Sequence, residues 1–357
     1  MSMVSERSAR EQLAELDEDF AAAADAAGGV VERRFLLAGA PVSVRFAGDA
    51  AARVLSAAFA HLKAEEPEPP VFVLHVWDAA RSAAARPALA PKAAHGTEPS
   101  ATGPGPSYFY EGHGFRAMHQ PSPDHLSVLS DDARTGWFRM PDVTTLPHWD
   151  HAAPFRHLLS WWLAARGHQH VHGGAVGTDD AGVLLVGRGG SGKSTATLTS
   201  LLDGRLRYLG DDYVALGGEA ERATVYSLYS SGKVHRSNLA RVPHLATALA
   251  NPDRLEEKAV VFVHEAFPGR AIGSLPLGAI VVPRIAAGER TRVKETTHAA
   301  ALAALAPSTI FQLHPPAKAA LARMAELVRG VPAFELELGE DVAVIPERLV
   351  ELLARLG

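Results

Sequence analysis

The run from Gly187 to Ser194 reads GRGGSGKS and matches the spacing G-x-x-x-x-G-K-[ST]. Glycines at these positions let successive backbone N–H groups point at phosphate oxygens, while the lysine reaches the β- and γ-phosphates and the hydroxyl ligates Mg²⁺. The start of the following helix adds a field that favours anions. The spacing therefore predicts a cradle for a nucleoside triphosphate such as ATP. The residues expected to bind this ligand are Gly187, Arg188, Gly189, Gly190, Ser191, Gly192, Lys193, Ser194 and Thr195.

An acidic pair, Asp211 and Asp212, follows one predicted helix later. Phosphate-binding loops of this kind need a carboxylate near the metal, and a second carboxylate can accept the proton of an acceptor hydroxyl. We expect Ser194 and Asp211 to hold Mg²⁺, and either aspartate is a candidate for the base. A solvated turn is the alternative, although apolar residues flank the pair on both sides. Asp179 and Asp180, by contrast, are predicted to lie in a solvated hairpin turn.

Three histidines alternate along the chain just before the loop: His168, His170 and His172. On a strand they would share one face, and H-x-H is a common metal-ligand spacing. No further ligand is placed to complete such a site. His172 is therefore interpreted either as a hydrogen-bonded structural residue or as a group that orients or charges an aspartate beside the γ-phosphate.

Positive charge gathers in the segment SGKVHRSN, which is predicted to be a loop containing Lys233 and Arg236. Such a segment is either a solvated basic surface or a clamp for the transferring phosphate or an acidic acceptor. Lys258 and Arg284 are weaker candidates for the same clamp.

The elements that must position these residues alternate between strands and helices, which predicts an α/β core. HVHGGAVG and GVLLVG are expected to form a strand pair joined by TDDA, followed by the glycine-rich loop and a helix through Leu202. A strand over residues 206–216 is predicted to contain the acidic pair, and Gly210 before the pair is compatible with a strand end there. Other strands are predicted within residues 33–47, 71–77, 108–140, 223–229, 259–265, 277–283 and 333–339, and other helices within 50–63, 153–167, 317–329 and 346–355.

Composition divides the chain into two predicted domains. Residues 1–150 are expected to form a small α+β domain with a mobile insertion at 81–107, which is rich in Ala, Pro and Gly. Residues 151–357 are expected to form the α/β domain that carries the loop. The first domain is expected to help recognise an acceptor or partner, although nothing in its residues says which.

The overall composition narrows the class of protein. The 357 residues carry a formal net charge of -5, so nothing favours nucleic acid or an anionic membrane as a partner. Cysteine is absent, which excludes disulfides and thiolate chemistry. With no apolar secretory signal or membrane span in the pattern, we expect a soluble cytoplasmic protein.

The order of these motifs resembles the carboxy-terminal catalytic domain of HPr kinase/phosphorylase, whose loop is related to that of phosphoenolpyruvate carboxykinase. The matching residues are His172-Gly173, Gly187 to Ser194, and Asp211-Asp212. The hairpin that leads into the loop is the most distinctive shared feature. The resemblance covers residues 168–216 and implies the fold of that domain.

The resemblance also implies roles for individual residues. Lys193 and Ser194 would hold phosphate and metal, one of Asp211 and Asp212 would act as the base on a hydroxyl, and His172 would assist it. The implied cofactors are ATP and Mg²⁺, and a homo-oligomer is implied by analogy with the family.

Two departures separate the chain from HPr kinases proper. The glutamate that the family uses for metal has no counterpart in SGKVHRSN, and the carboxy-terminal docking signature is not evident. The sequence therefore predicts a kinase that transfers the γ-phosphate of ATP to a hydroxyl, preferentially serine, of a peptide, a protein or a small amino-acid-like molecule. The alternative is a nucleotide-binding regulatory module or slow NTPase without phosphoryl transfer.

Overall fold

A computed structural model describes residues 9–65, 68–79, 93–95, 107–112, 114–286, 288, 290–313 and 317–356. The chain forms two compact units, which divide chiefly between Leu146 and Pro147, although Leu36–Gly39 and Ala57–Leu62 belong to the second unit. The predicted insertion at 81–107 lies outside the described residues apart from 93–95 and Ser107. Among the described residues, no helix combines the length and apolar character that crossing a membrane requires.

Helices and strands occur both before and after residue 147. Before residue 147 they are α1 (Ala9–Ala26), β1 (Val30–Leu37), β2 (Ala40–Ala47), α2 (Asp49–Ser56), β3 (Phe72–Asp78), β4 (Ala93–His95), β5 (Ser107–Glu111), β6 (Phe115–Gln120), β7 (His125–Ser130) and β8 (Thr135–Met140). After it they are α3 (His148–Ala152), α4 (Arg156–Ala165), β9 (Gln169–His172), β10 (Gly174–Gly177), β11 (Gly182–Leu185), α5 (Lys193–Thr199), β12 (Arg207–Gly210), β13 (Tyr213–Gly217), β14 (Thr224–Ser227), β15 (Ser231–Val234), β16 (Ala259–Phe262), α6 (Val263–Ala266), β17 (Ser274–Ile285), β18 (Arg292–Glu295), α7 (His298–Leu313), α8 (Ala317–Arg329), β19 (Ala333–Leu338) and α9 (Ile345–Ala354).

The first unit is built on one sheet with strand order β1-β2-β3-β8-β7-β6-β5-β4. Strands β2, β3 and β8 run parallel, whereas the successive strands from β5 to β8 pair antiparallel. Helix α1 packs Leu16 and Phe20 onto this sheet beside Trp77 and Phe115. This amphipathic helix gives the unit a core on the face that it covers.

The second unit is a mixed sheet with order β12-β10-β11-β17-β14-β13-β9, extended by β19 on β17 and β18 on β19. Strands β11, β17 and β19 are parallel neighbours, and the other pairs in this sheet are antiparallel. The predicted α/β class is therefore confirmed, since the second unit consists of a mixed sheet with helices.

Strand β11 shows how the sequence places helices on both faces of this sheet. Its residues are all buried, as expected of a strand covered on both sides. Leu184 faces a core that includes Leu305 of α7 and Met324 of α8. Its neighbour Leu185 faces the opposite core, which includes Leu349 of α9. The loop that follows β11 therefore starts from a rigid, fully packed strand.

The predicted strand at 206–216 is wrong as a single element, because β12 ends at Gly210 and β13 begins at Tyr213. The two strands pair with different partners, since β12 pairs with β10 and β13 pairs with β9. The chain changes partners at the acidic pair. The partner strands are likewise divided, because β9 ends and β10 begins on either side of Gly173. The Gly173 N–H donates to the Asp212 carbonyl at 2.9 Å and so joins the two breaks.

Three other boundaries differ from prediction. The helix expected over 50–63 is α-helical only to Ser56 and continues as a 3-10 helix over Ala57–Leu62. The strand expected over 259–265 ends at Phe262, where α6 begins. The predicted loop SGKVHRSN instead opens with strand β15, which pairs antiparallel with β16 and buries its side chains.

Candidate functional site

The glycine-rich loop leaves β11 and ends where α5 begins at Lys193. Gly190 and Gly192 have φ values of 80° and 100°, a region that side chains other than glycine rarely adopt. A Cβ atom on Gly192 would also overlap the Leu338 side chain, whereas one on Gly189 would meet no atom within 4 Å. The loop conformation thus depends on glycine at particular positions.

Lys193 folds back across the loop. Its Nζ donates to the Gly187 carbonyl at 2.6 Å and to the Arg188 carbonyl at 3.3 Å, and its side chain is buried. Burial lowers the pKa of this amine, although Asp212 and Asp211 oppose the effect. The site therefore holds a buried lysine that interacts electrostatically with two carboxylates.

The backbone of the loop offers donors that other backbone groups do not use. Among the described residues, the N–H groups of Gly189, Gly190, Gly192, Lys193 and Ser194 donate to no backbone oxygen. The Ser191 hydroxyl oxygen is buried and has no hydrogen-bond partner among the residues that the structure describes. Arg188 is exposed, and Thr195 is half-buried in the first turn of α5. Donors of this kind are available to an anion.

Asp211 is 1% exposed, and its Oδ2 accepts the Lys233 N–H at 2.9 Å. Its Oδ1 is buried with no hydrogen bond of normal geometry to a described residue. Burial and the Asp212 charge raise the pKa of Asp211 to about 7, while the Lys233 N–H and the Ser194 side chain partly oppose this rise. Asp211 therefore lies beside Ser194 with one oxygen uncommitted.

Asp212 is held on both sides by side chains. Its Oδ2 forms an ion pair with Lys233 Nζ, and its Oδ1 lies 3.9 Å from His172 Nε2. Burial would raise the pKa of Asp212, but Lys233 and His172 outweigh it and the pKa is lowered. Burial likewise works against the charge of Lys233, yet Asp212 holds its pKa above the usual range. The pair is ionised at neutral pH.

His172 is fixed by backbone and ring contacts. Its N–H donates to the Thr309 hydroxyl at 3.0 Å, and its ring lies 5.5 Å from the Tyr213 ring. Burial lowers the pKa of His172 to about 3, so its imidazole is neutral at physiological pH. A neutral ring therefore lies near Asp212 without adding charge to it.

The alternating histidines line the aromatic side chains of the neighbouring strands, and His170 and His172 share one face of β9. His170 and His172 both contact the Tyr213 ring at 5.5 Å, whereas His168 precedes β9 and contacts Tyr226. Within the described residues, no group of three or more His, Asp or Glu side chains is arranged to hold a metal ion. The metal role expected for Ser194 and Asp211 stays a prediction.

Lys233 and Arg236, both expected in a basic loop, lie in different settings. Lys233 is buried in β15 on Asp212, as described above. The Arg236 guanidinium donates to the carbonyls of Asn251, Arg254 and Glu257, with 3.0 Å for the contact to Glu257. Arg236 thereby anchors the neighbouring loop.

Two other candidate cations and the first acidic pair have distinct surroundings. Arg284 is exposed and pairs with Glu335 at 2.8 Å, while Lys258 is close enough to lower the pKa values of His172 and Asp212. Asp179 is exposed and pairs with Arg207 at 2.8 Å, as befits a surface turn.

Two residues on α7 were missed by the sequence reasoning. Thr309 accepts the His172 N–H, and Gln312 accepts the Tyr213 hydroxyl at 2.9 Å. Their segment, HAAALAALAPSTIFQL, carries Pro307 and an alanine-rich pattern that gives little contrast between faces. Only the fold brings this helix against β9.

Comparison with known proteins adds little to this geometry. No protein-family model matches the chain, and no curated protein sequence matches it. Among solved structures, the chain is similar to the Hpr(Ser) kinase/phosphatase from Coxiella burnetii, with a TM-score of 0.28, 13% identity, and coverage of 52% of this chain and 94% of that one. That protein belongs to the family whose motifs the sequence resembles, but a TM-score this low supports neither a shared activity nor a shared ligand.

Proposed function

We propose that the second unit is an ATP-dependent kinase that transfers the γ-phosphate to a hydroxyl, preferentially serine, of a peptide, a protein or a small amino-acid-like acceptor. The observation that carries the proposal is the convergence of the loop residues Lys193 and Ser194 with Asp211 and Asp212. A loop of donors beside two carboxylates in different electrostatic states matches the needs of phosphoryl transfer, where positioning and charge stabilisation dominate.

The nucleotide side of the site is the loop. The uncommitted N–H groups of the loop would bind the phosphate oxygens, and Lys193 would exchange its two loop carbonyls for the β- and γ-phosphates. These donors belong to Gly189, Gly190, Gly192, Lys193 and Ser194. Lys193 is pre-positioned for this role because its side chain is already buried beneath the loop.

Ser194 and Asp211 fit the metal that accompanies ATP. The buried Oδ1 of Asp211 has no hydrogen bond of normal geometry among the described residues, and the Ser194 side chain lies close enough to lower the pKa of that carboxyl. A hydroxyl and a carboxylate are oxygen ligands of the kind that Mg²⁺ prefers. When bound, Mg²⁺ would neutralise charge on the β- and γ-phosphates.

Asp212 is assigned as the base that takes the proton of the acceptor hydroxyl. The acceptor oxygen would form the new bond to the γ-phosphorus, the bond from that phosphorus to the β–γ bridging oxygen would break, and ADP would leave. The hydroxyl proton would pass to Asp212, which His172 orients, and then to solvent. A carboxylate with a lowered pKa can serve here because the hydroxyl becomes far more acidic as the new bond forms.

The test is transfer of labelled phosphate from ATP to serine, threonine and serine-containing peptides. Lys193→Ala should lower transfer by at least about a hundredfold, because one preorganised donor to developing charge contributes that much. Lys318→Ala, which removes an exposed lysine of α8, should leave the rate unchanged. Equal rates for both variants would refute the assignment of the site.

One observation favours the alternative of a nucleotide-binding module or slow NTPase without transfer. Lys233 neutralises Asp212 and lowers its pKa, which weakens it as a proton acceptor. Calorimetric binding of ATP that depends on Lys193, together with no transfer to any hydroxyl tested, would support the module over the kinase.

A further inference from the structure

A basic groove lies along strand β18, at one edge of the second unit's sheet. It has a volume of about 500 Å³ and runs between β18 and α9. Its cationic lining consists of Arg290, Arg292, Lys294, Arg348 and Arg355. The carboxylates in the lining are Asp341 and Glu351. The excess of positive charge contrasts with the net charge of -5 of the whole chain.

The two carboxylates of the groove are already engaged. Asp341 Oδ1 accepts the Thr291 N–H at 2.8 Å and the Thr291 hydroxyl at 2.7 Å, and Glu351 accepts from Arg348 at 2.6 Å. Lys294 donates to Glu337 at 2.7 Å. The three remaining arginines form no ion pair with a described residue, so their charges are not neutralised there. They are Arg290, Arg292 and Arg355.

The backbone of β18 makes this groove more than a basic surface. Within the described residues β18 pairs only with β19, so its other edge is unpaired. The Thr296 N–H donates to the Ala333 carbonyl at 2.9 Å. Because hydrogen bonding alternates along an antiparallel ladder, the N–H and C=O groups of Val293 and Glu295 point away from β19. An exposed row of this kind is a template for another strand.

We propose that this groove is a docking site for an extended acidic segment of a partner protein, which adds to the sheet as a strand beside β18. Main-chain hydrogen bonds to Val293 and Glu295 would supply affinity, as in other strand-addition complexes. Acidic side chains at alternate positions of the added strand would contact Arg290, Arg292 and Lys294. These three residues are two positions apart, so along an extended strand they lie on one face. On the opposite side Arg355 flanks the buried Leu352 of α9.

The docking site is independent of phosphoryl transfer and is tested by direct binding. A short fluorescent peptide of alternating glutamate and threonine should bind the full chain saturably, and its glutamine counterpart should bind at least about tenfold more weakly. The double variant Arg290→Glu/Arg355→Glu should lose at least about tenfold in affinity. The matched control Arg241→Glu/Arg329→Glu reverses two exposed arginines outside the groove and should bind like the unmodified chain.

Amide exchange separates strand addition from general charge attraction. At saturating peptide, exchange at the Val293 and Glu295 amides should slow, whereas the Arg292 and Lys294 amides, which face β19, should change little. Binding without slower exchange at Val293 and Glu295 would overturn the proposal, as would equal affinity in both double variants. Concentration-dependent self-association that the groove variant abolishes and the peptide cannot reverse would assign the edge to a second copy of the chain instead.

Discussion

At the scale of single residues, the two adjacent aspartates are chemically distinct although the sequence treats them alike. Asp211 has a raised pKa, an uncommitted oxygen and Ser194 beside it. Asp212 has a lowered pKa and is paired with Lys233 near His172. The sequence predicted a division of labour but left the order open. The proposed function assigns the metal to Asp211 and the proton of the acceptor hydroxyl to Asp212.

We expect the two asparagine variants to separate these roles. Asp211→Asn should weaken nucleotide binding in the presence of Mg²⁺ while changing metal-free binding little, since it removes a metal ligand. Asp212→Asn should keep nucleotide affinity and lower transfer by roughly 10²–10⁴, the usual contribution of a general base. Calorimetry with and without Mg²⁺ and single-turnover transfer measure the two effects.

Stability must be controlled in that comparison. Asp212→Asn leaves Lys233 buried without its partner, which costs about 3–5 kcal/mol when one member of a buried ion pair is removed. The double variant Lys233→Met/Asp212→Asn removes both charges and should recover much of that loss. Asp180→Asn, at an exposed turn position, is the neutral control. Identical metal dependence in both single variants would contradict the assignment.

At the scale of elements, the loop is defined by backbone conformation. Gly192→Ala should disrupt it, because φ at this residue is 100° and the added Cβ would overlap Leu338. Gly189→Ala is the matched control in the same loop, since its Cβ would meet no atom within 4 Å. We expect about 1 kcal/mol or more of strain at Gly192.

The measurement for the glycine pair is ATP affinity by calorimetry, with thermal unfolding as a check on folding. Gly192→Ala should bind ATP at least about tenfold more weakly, since 1.4 kcal/mol corresponds to a tenfold change. Gly189→Ala should bind as the unmodified chain does. If both variants retain full affinity, the loop does not cradle phosphate.

The sequence predicted the elements with strong local signals and missed those that depend on long-range pairing. The motif around Lys193 and the buried strand before it were recognisable from spacing and apolar character. Gly210 indicated the end of β12, but the change of partner strand at Asp211 and Asp212 was not recognisable, because it depends on long-range pairing. Lys233 was expected in a loop because its neighbours are polar, whereas pairing with β16 buries it.

At the scale of the whole molecule, the described structure keeps several histidines neutral by burial. Burial lowers the pKa to about 3 or about 4 in each case. These residues, all of them in the second unit, are His61, His148, His170 and His172. In an unfolded chain a histidine titrates near 6.5, so below that pH the unfolded state binds more protons than the native state. The expected homo-oligomer and the purpose of the first unit stay predictions.

The second unit should therefore lose stability as pH falls from about 6.5 towards 4, by up to about 1.4 kcal/mol per pH unit for each such histidine. Asp211 opposes this trend, because its raised pKa makes the native state take up a proton between about 7 and 3.8. Urea unfolding followed across this pH range measures the slope. His170→Phe should reduce the slope, whereas Leu216→Met, a buried change without a titratable group, should shift stability equally at every pH. A slope unchanged by His170→Phe would mean that His170 is not held neutral by burial.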